Sequence, residues 1–507
     1  MNKKILSCLC CWIFCLTAFN SAFSQDLPPA QGKAKDQTAK YEVLTTAVDH
    51  KAFDKGYKFF SQKKHEKSLA YFYNYIEKHN ADNLTGNVEY EWAVFFLGIA
   101  LIKSDFTHAG VDILSHLVTR KPNTRIVSYS LEAFEKITRT IPFDEDLLIN
   151  KVVYDQEYGF VDDRISDFIN FYQGVFDWQN GFFNWGNQHF ARIRANTYYD
   201  FKYQYHNALY LIYQDRIDDA VAVLKGILSG TCEDEILKDQ ARFTLARLLF
   251  EKGDFEQAVF MYRGIKKPIL EQAENLLEMA WSQYHLGHPE KAMGLLYAFE
   301  APSFKQYFTP EYYILKSFIY KDVCHYQRAM QVVHEFGSRY TDSLKKIYNR
   351  GLPTEDQDLL LILLNKKKIK RIWRFLKLLE KEKAQALKIK DKSLEKYLEQ
   401  LYSLRIEKSI KTLKREVEKS YEELADKLLK YEEEAYLMEY EIGLDMYQRV
   451  TQHHFSEDPV EKIVISELKG KVVYSFQGEF WNDELADYKV ILPNKCNSME
   501  EWDIFFK

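Results

Sequence analysis

His65-Glu66, His334-Glu335 and the group His453, His454, Glu457 and Asp458 set imidazole beside carboxylate in this 507-residue chain, as a metal or acid–base site would require. A helical zinc hydrolase needs two histidines one turn apart with a glutamate between them, so that both rings reach one ion. Neither His-Glu pair has that second histidine. His453 and His454 are adjacent, and adjacent side chains diverge on a helix instead of converging on a metal. Gly-x-Ser-x-Gly, a phosphate loop and the Rossmann glycine fingerprint are also missing. The sequence therefore predicts no catalytic residue, no metal site and no cofactor.

Binding chemistry is better represented. Aromatic residues make up 15% of the chain and crowd between Phe168 and Tyr205. Phe168, Tyr172 and Phe176 recur at the four-residue step of a helix core. Trp178, Trp185 and Tyr203 fit that core less well, which makes them candidates for stacking on a glycan or anchoring a peptide. A basic run at 365–377 offers Lys367, Arg371 and Arg374 to an acidic partner or to anionic lipid headgroups. The acidic run at 431–441 could neutralise it, leaving both as solvated helix faces. A net charge of −5 over the whole chain argues against a nucleic-acid partner.

The elements that would carry these residues follow from a recurring rhythm. Ala246, Gly253, Phe255, Ala258, Tyr262 and Ile265 read as a helical hairpin: small residues where two helices approach, a turn glycine, and aromatics against the next pair. Ala280, Gly287, Ala292 and Leu296 repeat it 34 residues later. The second small position recurs at Ser68, Gly110, Gly186, Ala220, Ala258, Ala292 and Ala329, with room for one degenerate unit around Ala133 and Ile149. This pattern resembles the tetratricopeptide repeat, whose period is about 34 residues. The resemblance covers about residues 45–345 and implies a solenoid that binds protein partners. Its irregular periods and scarce tryptophans imply an imperfect superhelix. Members that clamp a C-terminal carboxylate use Lys and Asn one turn apart; Lys345 and Asn349 have that spacing but follow the last clear repeat.

Composition changes after Pro353. From 354 to 452 Lys, Glu and Leu dominate, which predicts one or two long helices, with a break near 389–393 where Asp391 or Ser393 could cap a new start. Leu424, Leu428, Tyr431, Ala435, Met438 and Ile442 form a heptad stripe, and residues 394–442 could pack in cis or mediate oligomerisation. Residues 460–507 read as a small β-hairpin module with strands at 471–476 and 488–492 and Phe480 and Trp481 as its plug. The string at 478–485 resembles the tail of exported tetratricopeptide proteins in deltaproteobacterial envelope and gliding-motility complexes.

Residues 1–24 read as a signal peptide, with Lys3 and Lys4 before an apolar stretch and Ala22-Phe23-Ser24 as the cleavage site. Residues 25–44 read as a linker. Four of the seven cysteines fall in the leader. Cys232, Cys324 and Cys496 remain, an odd and widely spaced set that reads as buried small residues instead of a disulfide framework. The expectation is an all-α chain: a tetratricopeptide-like solenoid, long coiled-coil-like helices and a small β-rich end. It is expected to be exported to the periplasm or cell envelope as a non-enzymatic scaffold for protein partners, with glycan binding through 168–205 as the rival.

Overall fold

The computed structural model describes residues 50–79, 88–143, 146–154, 158–266, 273–301, 304, 307–452 and 488–496. Over these residues the chain is all-α. The leader, the linker, His453, His454, Glu457, Asp458, the 471–476 run, Phe480, Trp481 and the 478–485 string lie outside the described residues.

Helix pairs dominate the array. In chain order they are α1 (His50–Ser61) with α2 (His65–Lys78), and α3 (Val88–Lys103) with α4 (Thr107–Thr119). An α5 helix (Thr124–Thr140) and a π-helical segment (Asp146–Val153) occupy the place of the degenerate unit. Then come α6 (Asp163–Gln179) with α7 (Phe183–Phe190), α8 (Tyr198–Tyr213) with α9 (Ile217–Ser229), and α10 (Glu235–Glu251) with α11 (Phe255–Arg263). The last pairs are α12 (Ala273–His285) with α13 (Pro289–Tyr297), and α14 (Pro310–Asp322) with α15 (Tyr326–Tyr348).

All seven pairs close on one turn. The residue two places before the second helix has positive φ in each: Lys63, Asp105, Gly181, Asp215, Gly253, Gly287 and Cys324, between 59° and 83°. The next N–H reaches back five residues into the first helix, as from Asp254 to the Leu249 carbonyl at 2.9 Å and from His325 to Tyr320 at 2.8 Å. This Schellman-type closure satisfies carbonyls that the helix end would otherwise orphan. Five residues beyond each left-handed residue stands the small position of the sequence pattern, Ser68, Gly110, Gly186, Ala220, Ala258, Ala292 or Ala329, and each is buried. The reason for smallness is direct at Gly110, where a Cβ would sit 2.5 Å from the Gly98 carbonyl oxygen.

Packing divides the chain into two compact units, Met1–Leu209 with Arg371–Leu413, and Tyr210–Lys370 with Lys414–Lys507. Three further helices complete them: α16 (Gln357–Asn365), α17 (Lys367–Ala386) and α18 (Lys392–Gln452). Asp391 caps α18 by accepting from the N–H groups of Ser393 at 3.1 Å and Leu394 at 3.0 Å.

In the first unit, one core is built from α3 to α8 and centres on Phe134, Phe168, Phe171 and Tyr199. A second core joins Leu69, Phe72 and Leu101 of the early hairpins to Leu379, Leu394, Leu398 and Tyr402. Leu379, Leu394 and Leu398 are fully buried, each contributing about 2 kcal/mol by removal from water. Glu382 adds a polar lock. Its carboxylate accepts the N–H groups of Thr107 and His108, both at 3.0 Å, and the Tyr402 hydroxyl at 2.7 Å. It thereby caps α4, whose own N-cap residue Phe106 has no side-chain acceptor. Burial pushes Glu382 up to about 7 even though those three hydrogen bonds favour the charged form. Burial, with Arg405 nearby, holds His108 down to about 3.

In the second unit the heptad stripe packs in cis. Leu424, Leu428, Ala435, Met438 and Ile442 are buried. The Tyr431 hydroxyl donates to Glu311 on α14 at 3.1 Å, and Arg449 lies over the Tyr326 ring on α15 at 5.5 Å. Members of the basic and acidic runs find other partners there. Lys366 and Lys368 meet Glu423 at 3.7 Å and Glu416 at 2.7 Å, while Glu441 pairs with Lys321 and Glu432 accepts from Tyr348.

The cysteine reading needs correction. Cys324 and Cys496 form a disulfide across 172 residues, and only Cys232 is a free, buried thiol among the described cysteines. The bond fastens the chain end to the α14–α15 turn, at the left-handed residue itself. Around it, Lys495 N–H donates to the Val323 carbonyl at 3.0 Å, Val490 N–H to Glu290 at 3.0 Å, and Tyr488 backbone packs on Gly294. Residues 488–492 therefore lie along the hairpins, and no strand is assigned to them.

Candidate functional site

Trp178 of α6 and Tyr203 of α8 come together, against the α6–α7 hairpin. Phe190 joins them: Trp178 meets its ring edge-on at 4.8 Å and Tyr203 stacks on it at 4.4 Å. Trp178 Nε1 donates to Asn187 Oδ1 at 3.1 Å, and burial raises the Tyr203 pKa. Both residues thus pack the hairpin. Trp185 is elsewhere, 56% exposed and stacked at 5.5 Å on the equally open Phe182.

Lys367, Arg371 and Arg374 are exposed on α17 at steps of four and three, a single helical face. Lys345 and Asn349 are exposed at the end of α15, where Asn349 is the C-cap.

The sequence reading missed a cleft in the second unit. Its volume is about 400 Å³, at the small end of the range of small-molecule sites. The connection after α13 supplies Phe299, Glu300, Phe304, Tyr307 and Thr309; α14 supplies Tyr312 and Tyr313; α15 supplies Glu335, Ser338, Arg339 and Tyr340. Aromatic rings line the walls, with charge at the rim.

Several polar groups at the cleft have a structural engagement. Glu300 accepts from the buried Lys316 at 2.7 Å, and Lys316 also donates to the Tyr312 hydroxyl at 2.8 Å. That environment raises the Lys316 pKa through Tyr312 and Glu300 against desolvation, so the lysine stays charged. Arg339 pairs with Asp358 at 3.2 Å and spreads over Tyr340 at 5.4 Å. Ser338 donates to the His334 carbonyl at 2.9 Å, one turn back on its own helix. Its hydroxyl is thus engaged with the backbone of its own helix. The arrangement suits recognition of an aromatic or aliphatic side chain with a polar end.

Of the acid–histidine pairs apart from the cleft, Asp177 and His189 are the most enclosed. Asp177 and His189 approach to 3.6 Å between α6 and α7. Burial raises Asp177 to about 6 and lowers His189, so both move toward neutrality. Asn170 Oδ1 lies 3.4 Å from the other ring nitrogen. The group reads as a polar network within the hairpin, extended by Asn170 Nδ2, which donates to Ser166 Oγ at 3.1 Å.

Among the described residues, no group of three or more His, Cys, Asp or Glu is placed to hold a metal, and no helix is long and apolar enough to cross a membrane. No protein-family model matches the chain, and no curated protein matches it.

Proposed function

We propose that this chain is an exported, non-enzymatic scaffold of a bacterial cell envelope that holds protein partners on a tetratricopeptide-like solenoid. One observation carries the reading: seven hairpins share the same left-handed closing residue and the same buried small position five residues later. Such hairpins bury their apolar faces only against neighbours and leave an extended surface for partners. The aromatic cleft of α14 and α15 offers an anchor point on that surface. Export is supported by the leader pattern and by the Cys324–Cys496 bond, since structural disulfides persist in oxidising compartments.

Crosslinking in intact cells, followed by purification of a tagged copy and mass spectrometry, tests the proposal. The expected result is a small, reproducible set of envelope proteins joined to lysines of the array or of the 366–390 segment, depleted in Tyr307→Ala. Crosslinks confined to the chain itself would refute it.

A second reading rests on the exposed Phe182–Trp185 stack, a geometry suited to the face of a sugar ring. Sedimentation with purified cell-wall sacculi that is lost in Trp185→Ala would favour glycan binding over protein scaffolding.

A further inference from the structure

One stretch of α18 is apolar on two opposite faces. Successive residues turn by about 100° on a helix, so Leu424, Leu428, Ala435, Met438 and Ile442 gather on one side, the side packed within the second unit. Tyr436, Leu437, Tyr440, Leu444 and Tyr447 gather on the other, within about 100° of each other by the same geometry. These five are 64%, 61%, 69%, 39% and 67% exposed. A surface helix normally has one apolar stripe and one polar face; a helix apolar on both sides is built to be covered on both. The first stripe already has its cover in cis.

Charge decides what could cover the second. From Tyr431 to Gln448 the sequence holds Glu432, Glu433, Glu434, Glu439, Glu441 and Asp445 and no lysine or arginine. Lys321 of α14 faces two of these, Glu441 and Asp445, and so offsets only part of the charge. Glu433 lies exposed within the stripe itself. Two copies packed stripe to stripe would bring like charges together, which opposes self-pairing. A helix with apolar residues along one seam and lysine or arginine beside it would bury the tyrosines and leucines and meet the carboxylates.

We propose that the Tyr436–Tyr447 face of α18 is a docking site for a basic amphipathic helix of a protein partner. The proposal rests on the scaffold reading above and adds to it the chemistry of one partner and the place where it sits. Tyrosine suits the role, because its ring gives large contact area at low entropic cost and its hydroxyl remains wet at the rim.

The test uses the purified full chain and a synthetic helical peptide of about five turns, with leucine at a and d and lysine at e and g. A matched peptide carries glutamate in place of lysine. Fluorescence anisotropy should show binding of the lysine peptide only, weakening as salt is raised, and weakening about tenfold or more in Tyr440→Ser/Leu444→Ser. Both replaced side chains are exposed, so unchanged circular dichroism and an intact disulfide would show that the fold survives. Equal binding by the variant, or no preference between peptides, would overturn the proposal. So would a dimer seen by sedimentation velocity and lost in the variant, which would make a second copy the occupant. The in-cell crosslinks at the array do not depend on this face, so its failure and the failure of the scaffold reading are separable.

Discussion

Replacing Glu382 by glutamine should expose a pH dependence that the native pair conceals. Folded, Glu382 ionises near 7, against 4.5 for a free glutamate. From pH 4.5 to 7 the folded state therefore keeps a proton the unfolded chain has released, and stability falls as pH rises. His108 runs the other way, titrating near 3 when folded against 6.5 when free. Below 6.5 the unfolded chain gains a proton that the buried ring refuses, and stability falls as pH falls. Each pH unit in these windows is worth about 1.4 kcal/mol. Between 4.5 and 6.5 the two slopes cancel, so the pair leaves wild-type stability level.

Glu382→Gln removes one slope and leaves the other. The variant should gain on the wild type by about 3 kcal/mol as pH rises from 4.5 to 7, on top of a constant loss from the weakened α4 cap. The other charged and titratable groups facing this site, Asp105, Arg405 and Tyr402, are common to both proteins and cancel in the difference. A chain of two units need not unfold in one step. The assay is therefore hydrogen exchange of peptides covering α4 and α17, corrected for intrinsic rates and compared at matched pH. A difference that stays flat across the window would mean that burial does not dominate the carboxylate, and the reasoning would fail.

The turn geometry gives the next expectation: Asp215→Gly should stabilise by up to about 1 kcal/mol, because glycine adopts positive φ without strain, measured as a raised thermal midpoint. Gly110→Ala should cost about 1–3 kcal/mol in the same assay, since its Cβ meets the Gly98 carbonyl. Trp178→Ala should destabilise by about 3 kcal/mol while Trp185→Ala stays within about 0.5 kcal/mol, separating packing from surface exposure. Cys496→Ser should release protection at the Val490 and Lys495 amides in hydrogen exchange. Loop closure over this separation sets an upper bound of about 5 kcal/mol on the stability lost.

The array was legible because its physics is local. Ser68 through Ala329 mark helix contacts fixed by residue size, and their distance from the turn is set by helix geometry alone. What the glycine signal could not give was the turn itself. Lys63, Asp105, Asp215 and Cys324 adopt the same left-handed φ as Gly181, Gly253 and Gly287. A lysine or cysteine there looks like any surface residue in the sequence. Only the spacing to the buried small residue betrays it, and that spacing is invariant across the seven pairs.

The site residues were less legible because their partners are distant in sequence. Glu382 caps α4 from 275 residues away, and Cys324 finds Cys496 across 172. No local pattern announces either. The cleft is harder still, since its walls come from the connection after α13 and from two different helices, α14 and α15, and not from a motif. By contrast, the outer stripe of α18 was present in the sequence all along. Tyr436, Tyr440 and Tyr447 interleave with the heptad Leu428–Ala435–Ile442 and look like more of the same amphipathic pattern. Burial separates them: one set is enclosed and the other stands in solvent. A periodicity of apolar residues tells that a helix has a face to hide, but counting the faces requires knowing which one its own chain already covers.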